Sequence, residues 1–107
     1  MQTTAYEVDL RYSRQQLEAL FMMARREDVE EGGRYDARGG ALNFWTHRWN
    51  EPNMREESSL MGSLYVYWGN QNRIWRFEIE EGFSFEDLLI ELGTLEEKAL
   101  GMKMHGR

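Results

Sequence analysis

The stretch from Ser63 to Ile79 constrains this chain more than any other part of it. Two runs of alternating β-branched and aromatic residues, Ser63-Leu-Tyr-Val-Tyr-Trp68 and Arg73-Ile-Trp-Arg-Phe-Glu-Ile79, flank Gly69-Asn-Gln-Asn72. Such runs around a Gly/Asn turn fold back as an antiparallel hairpin. A two-residue loop at Asn70-Gln71 and a four-residue loop from Gly69 to Asn72 set the same pairing. Both put Trp68 opposite Arg73, Val66 opposite Trp75, Leu64 opposite Phe77 and Gly62 opposite Ile79. Side chains alternate across a strand, so these pairs share one face, and that face is predicted to be core. Each large side chain buried there contributes roughly 1.5–3 kcal/mol. The other face pairs Tyr65 with Arg76, Tyr67 with Ile74 and Ser63 with Glu78, a mixture suited to contact with a partner.

The hairpin needs further elements to cover it, and the flanking sequence supplies them. Residues 3–12 alternate, with Tyr6, Val8, Leu10 and Tyr12 on one side, and read as a strand. Ser13 and Gln16 have capping-box spacing, and Leu17, Leu20, Phe21 and Ala24 then recur at helical spacing, which predicts a helix from near Arg14. That helix is expected to fray after about Asp28 and to end by Gly32-Gly33. Arg34 to Gly40 reads as a flexible connector, and Ala41 to Trp49 as a strand with Leu42, Phe44 and Thr46 facing one way. Asn50 to Glu57, with the only proline, reads as a polar connection. The hairpin strands are expected at about 58–68 and 73–80. Ser84 is the expected N-cap of a second helix, with Glu86 and Asp87 in its first turn and Phe85, Leu88, Leu89 and Leu92 as its apolar stripe. Gly93-Thr94 predicts a break, with Thr94 capping a short last helix, and the tail from about 102 is expected to fray.

The resulting order is β-α-β-β-β-α. The expected fold is α+β, one domain over 1–107, with a four-stranded, mainly antiparallel sheet and helices packed on one face. At 107 residues the chain can bury roughly 60–70% of its extended surface, enough for one core without staples. There is no cysteine, so no disulfide, thiolate nucleophile or cysteine-ligated metal can form. No apolar segment preceded by basic residues opens the chain, and no apolar run approaches the roughly 20 residues that span a bilayer. Cytoplasmic residence without membrane association is the expectation.

Two constellations are candidates for a site. If the strand face bearing Trp45, His47 and Trp49 continues across the hairpin, it gains Tyr65, Tyr67, Ile74 and Arg76. Trp, Tyr and Arg are the residue types enriched at interaction hot spots. A platform of this kind invites pairing about a two-fold axis, so a homodimer is expected. The second constellation is an acidic rim of Glu78, Glu80, Glu81, Glu86 and Asp87. It lies in the half of the chain that holds eleven acids against six bases, in a protein of net charge −6. Acidity of this kind argues against direct nucleic-acid binding, which needs clustered Lys and Arg, and favours a basic protein partner. Tyr65 and Trp68 also project from opposite faces and cannot stack bases together.

Catalysis finds little support. His47 is the one histidine inside a predicted element, His105 lying in the tail, and no Ser/His/Asp, phosphate-loop or zinc-ligand spacing is present. Glu78 and Glu80 point the same way and could serve acid/base chemistry or a divalent cation, but their neighbours Glu81, Glu86 and Asp87 make a solvated rim the simpler account. The sequence therefore points to a non-enzymatic, cofactor-free protein-interaction module. It would act as an inhibitor or adaptor, one version of which covers a partner's basic nucleic-acid-binding surface. The alternative is a small-molecule-binding or enzymatic domain that uses the Trp45/His47/Trp49 face.

Overall fold

The computed structural model describes residues 3–30, 34–46, 59–66 and 74–101. The chain begins with strand β1, Thr3–Asp9, whose Thr4, Tyr6 and Val8 share one face. The strand stops short of the expected residue 12. Leu10 and Tyr12 nonetheless stay buried, and the indole N–H of Trp75 donates to the Leu10 carbonyl at 3.0 Å. Ser13 and Gln16 then form the expected capping box. The Ser13 hydroxyl accepts from the Gln16 amide at 3.0 Å, and the Gln16 side chain accepts from the Ser13 amide at 2.9 Å. Helix α1, Arg14–Glu30, runs on from this cap and buries Leu17, Leu20, Phe21 and Ala24. The pair Gly32-Gly33 expected to end it lies outside the described residues.

The expectation of four strands is corrected here. Tyr35–Arg38, read from sequence as part of a connector, is strand β2, and it pairs antiparallel with β3, Ala41–Trp45. Its alternation is short but regular. Tyr35 and Ala37 face the core opposite Phe44 and Leu42, while Asp36 and Arg38 face the other way. The glycines that suggested a loop are the turn itself. Gly39 has φ of 60° and Gly40 of 79°, the paired positive values that a two-residue hairpin turn of the type I′ class requires.

Strands β4, Leu60–Tyr65, and β5, Ile74–Glu80, complete the sheet. They pair in the predicted register, Gly62 with Ile79, Ser63 with Glu78, Leu64 with Phe77 and Tyr65 with Arg76. Trp68, Arg73 and the turn between them lie outside the described residues, as does the connection 50–57. The sheet is antiparallel throughout, in the order β1-β5-β4-β3-β2. Four strands therefore meander from β2 to β5, and β1 lies against the far side of β5.

Helix α2, Phe85–Leu100, starts at Ser84 with a complete capping box to Asp87 and ends at Gly101, whose φ is 74°. No break occurs at Gly93-Thr94. A glycine costs a helix about 1 kcal/mol, but Leu88, Leu92 and Leu95 are each wholly buried on either side of it. A break would give up that packing. Thr94, rather than capping a new helix, donates its hydroxyl to the Ile90 carbonyl one turn back at 3.1 Å. The tail from 102, where fraying was expected, lies outside the described residues. No helix among the described residues is long and apolar enough to cross a membrane.

One hydrophobic cluster joins both helices to a single face of the sheet. Leu20 and Leu88 meet Phe44, Leu64 and Phe77 there, all of them fully buried. Aromatic rings cross this layer from one edge strand to the other. Tyr6 lies 5.0 Å from Phe85, Phe85 5.9 Å from Phe77, Phe77 6.3 Å from Phe44, and Phe44 5.9 Å from Tyr35. The helices thus occupy one face, and the opposite face is where the predicted platform should stand.

Candidate functional site

Trp45, Tyr65 and Arg76 do stand on the face opposite the helices. The strand register nevertheless separates Trp45 from the other two. Tyr65 pairs with Ala41 and with Arg76, while Trp45 lies four residues further along β3, opposite Leu60 and past an irregularity after Phe44. At about 3.4 Å per residue that is about 14 Å. His47, Trp49 and Tyr67 lie outside the described residues. What the structure brings together is Tyr65 and Arg76, with the guanidinium 5.2 Å above the ring and bonded to Glu78 at 3.1 Å. Burial raises the Tyr65 hydroxyl pKa, the Glu78 carboxylate adds to this, and Arg76 opposes it.

A polar ladder fills the space between Trp45 and Tyr65. Asp36, Asn43, Ser63 and Glu78 occupy one cross-strand row on β2, β3, β4 and β5. Ser63 donates to the Asn43 side-chain oxygen at 2.5 Å, and the Asn43 amide donates to Asp36 at 2.6 Å. The indole N–H of Trp45 reaches the other Asp36 oxygen at 3.0 Å, and Arg38 approaches the same oxygen at 3.7 Å. Asp36 is 1% exposed, so its charge is held by these donors instead of by water. Nothing in the spacing of Asp36 marked it, because one isolated acid in a Gly/Arg-rich segment reads as solvated. Trp45 serves this network, and its indole N–H is engaged within the protein.

The acidic rim divides in two. Glu78 is engaged by Arg76, and Asp87 accepts from the Ser84 amide at 2.9 Å as part of the helix cap. Glu80, Glu81 and Glu86 form no ion pair among the described residues. Glu80 ends β5, and Glu81 is exposed in the turn that leads to α2. These two carboxylates line a cleft of about 480 Å³ together with Ser59, Leu60 and Phe83. Half-buried Leu60 and Phe83 make its walls partly apolar. A cleft of that make-up can take the aliphatic stem of a Lys or Arg side chain and meet its charge at the mouth.

The remaining buried charges lie in the helix layer. Glu91 accepts from Arg34 at 2.9 Å and from the Tyr35 hydroxyl at 3.2 Å, tying α2 to the start of β2. Burial raises the Tyr35 hydroxyl, the Glu91 charge raises it further, and Arg34 acts against both. Lys98 and Glu27 join α2 to α1 at 3.5 Å, and the Tyr12 hydroxyl donates to Glu96, which is wholly buried. These pairs span elements and fasten the helices in place. Among the described residues no group of three or more His, Asp or Glu side chains is placed to hold a metal ion. Comparison of the chain with protein-family models, with curated proteins and with solved structures returned no match.

Proposed function

We infer that this chain is a non-enzymatic protein-interaction module that engages a basic partner surface through its acidic rim, as an inhibitor or adaptor would. The observation that carries this reading is the cleft at the β5–α2 turn. There Glu80 and Glu81 stand outside any ion pair among the described residues, beside Leu60 and Phe83, and Glu86 in the first turn of α2 is likewise outside any ion pair among them. Net charge of −6 adds a long-range field of the same sign, which speeds encounter with basic partners. The partner surface that fits is one of exposed Lys and Arg, such as a surface built for phosphates.

Charge reversal tests the reading. Glu80→Lys with Glu81→Lys removes two acids and adds two bases, and neither position is needed for a helix cap or the core. Proteins retained from native lysate by the wild-type chain should be lost on this double variant, and their retention should fall steeply with added salt. Retention that ignores both the reversal and the salt would refute an electrostatic docking site.

A further inference from the structure

β1 ends the sheet, so among the described residues one side of its backbone has no strand to bond to. Edge strands of this kind are usually blunted by a proline, a bulge, charged side chains (lysine above all) or extreme shortness. β1 carries the two acids Glu7 and Asp9 and none of the other devices. It is seven residues long, contains no Pro or Lys, and pairs with β5 in unbroken register from Thr3–Glu80 to Asp9–Ile74. The edge at the other end, β2, has only four residues and is tied back to α2 through Arg34 and Tyr35. Thr3 to Glu7 and Asp9 are all exposed. Tyr6, although its ring packs on Phe85, remains 41% exposed.

We propose that β1 is a self-pairing edge, on which a second copy of this chain docks its own β1 antiparallel about a two-fold axis at Tyr6, making one continuous ten-stranded sheet. The axis must run perpendicular to the sheet to keep the core faces together, and this restricts it to pass through a residue rather than between two. Any residue of the strand meets this condition, and the three central ones give the longest overlap. An axis at Glu7 sets two acids directly against each other. An axis at Ala5 pairs only the five residues from Thr3 to Glu7 within the strand. The axis at Tyr6 pairs all seven residues, with Thr3 opposite Asp9, Thr4 opposite Val8 and Ala5 opposite Glu7 of the second copy.

No acid faces an acid in that register, and cross-strand like charges are what would oppose pairing. Arg76 lies opposite Glu7 on the inner side, and Arg11 holds Asp9 at 3.0 Å, so both acids of the strand have a base at hand. The axis also sets the exposed side of Tyr6 against its own copy, beside Phe85, and carries the row of aromatic rings across the junction. An isologous contact of this type closes on itself and stops at the dimer. It is independent of the acidic cleft, which lies at the β5–α2 turn.

The register makes the test specific. Ala5→Lys places a base opposite Glu7 of the second copy, twice by symmetry, and Ala5→Glu places an acid there. Sedimentation equilibrium of the wild-type chain should show a concentration-dependent species of twice 12.8 kDa. Its dissociation constant should tighten with Ala5→Lys and weaken with Ala5→Glu, each by roughly 2- to 30-fold for two exposed cross-strand pairs. Ala5 also pairs with Glu78 within the protomer, so Ala5→Lys should raise and Ala5→Glu lower the urea midpoint of the monomer slightly, and circular dichroism showing both variants fully folded without urea makes their dissociation constants comparable. Because the chain has no cysteine, Tyr6→Cys offers a second reading. Residues opposed across the axis lie about 4.5–5.5 Å apart at Cα, within disulfide reach, so this variant should cross-link on oxidation while Thr4→Cys should not. A chain that stays monomeric at millimolar concentration overturns the proposal. A dimer in which Thr4→Cys cross-links as readily as Tyr6→Cys, or in which both Ala5 variants behave alike, overturns it equally.

Discussion

Glu96 shows how a single carboxylate can be structural. It sits on α2 with no exposed surface, and the Tyr12 hydroxyl donates to it. Tyr12 follows β1 by three residues, so the contact locks the N-terminal segment to the second helix. The hydroxyl is pushed well above its ordinary value near 10, first by burial and then by the hydrogen bond and charge of Glu96. The sign of the pH effect follows. The unfolded tyrosine ionises near pH 10 while the folded one stays neutral, so its contribution is whole below that pH and declines as pH rises beyond it. Tyr12→Phe should cost about 1–3 kcal/mol at neutral pH, because it takes a donor from a buried carboxylate. That deficit should shrink by about pH 11, since the variant no longer has the group that titrates. Urea unfolding at the two pH values checks this, and a constant deficit would mean that Tyr12 is not held neutral. Neither Glu96 nor Asp36 could be recognised in the sequence. A carboxylate looks the same in a helix pattern whether it faces water or a tyrosine from a segment far away along the chain.

Glycines separate the elements that local pattern predicts well from those it does not. The capping boxes at Ser13–Gln16 and Ser84–Asp87 were legible because every group involved lies within four residues. The continuity of α2 through Gly93 was not, since it is enforced by the burial of Leu92 and Leu95 in the core, which propensity does not contain. Likewise Gly39-Gly40 offered turn chemistry without showing that both flanks were strands. Space around the glycines gives opposite expectations for two of them. A methyl group at Gly93 meets nothing within 4 Å, so Gly93→Ala should stabilise the protein by about 1 kcal/mol. At Gly62 the same methyl would lie 2.6 Å from the Glu78 carbonyl oxygen and 3.2 Å from Leu88, and Gly62→Ala should destabilise. Urea midpoints moving in the same direction for both variants would contradict either the open space at Gly93 or the close packing of Gly62 on β5.

At the scale of the molecule, the two faces of the sheet have different duties. Phe77 is wholly buried between Phe44 and Phe85, whereas Tyr65 is half-buried under Arg76 on the other side. Phe77→Ala should therefore cost about 3–5 kcal/mol, and Tyr65→Ala about 1 kcal/mol. Thermal or urea unfolding that ranks them the other way would mean that the strands have slipped by one residue, which exchanges the faces. This register was legible because strict alternation and the Gly/Asn-rich sequence between the strands specify it locally. The placement of β1 beside β5 was not legible, since no turn connects them and only the completed core selects the pairing. The four strands from β2 to β5 each lie beside their neighbour in sequence, but β1 pairs with the strand furthest from it along the chain. A growing polypeptide thus makes Thr3–Asp9 before the other four strands and can pair it within this sheet only after Ile74–Glu80 has emerged. Non-local closure of this sort is slow. Throughout translation of the middle of the chain, Tyr6 and Val8 belong to a strand without a sheet, and the nascent chain at that stage is the form most open to chaperones and to misassembly.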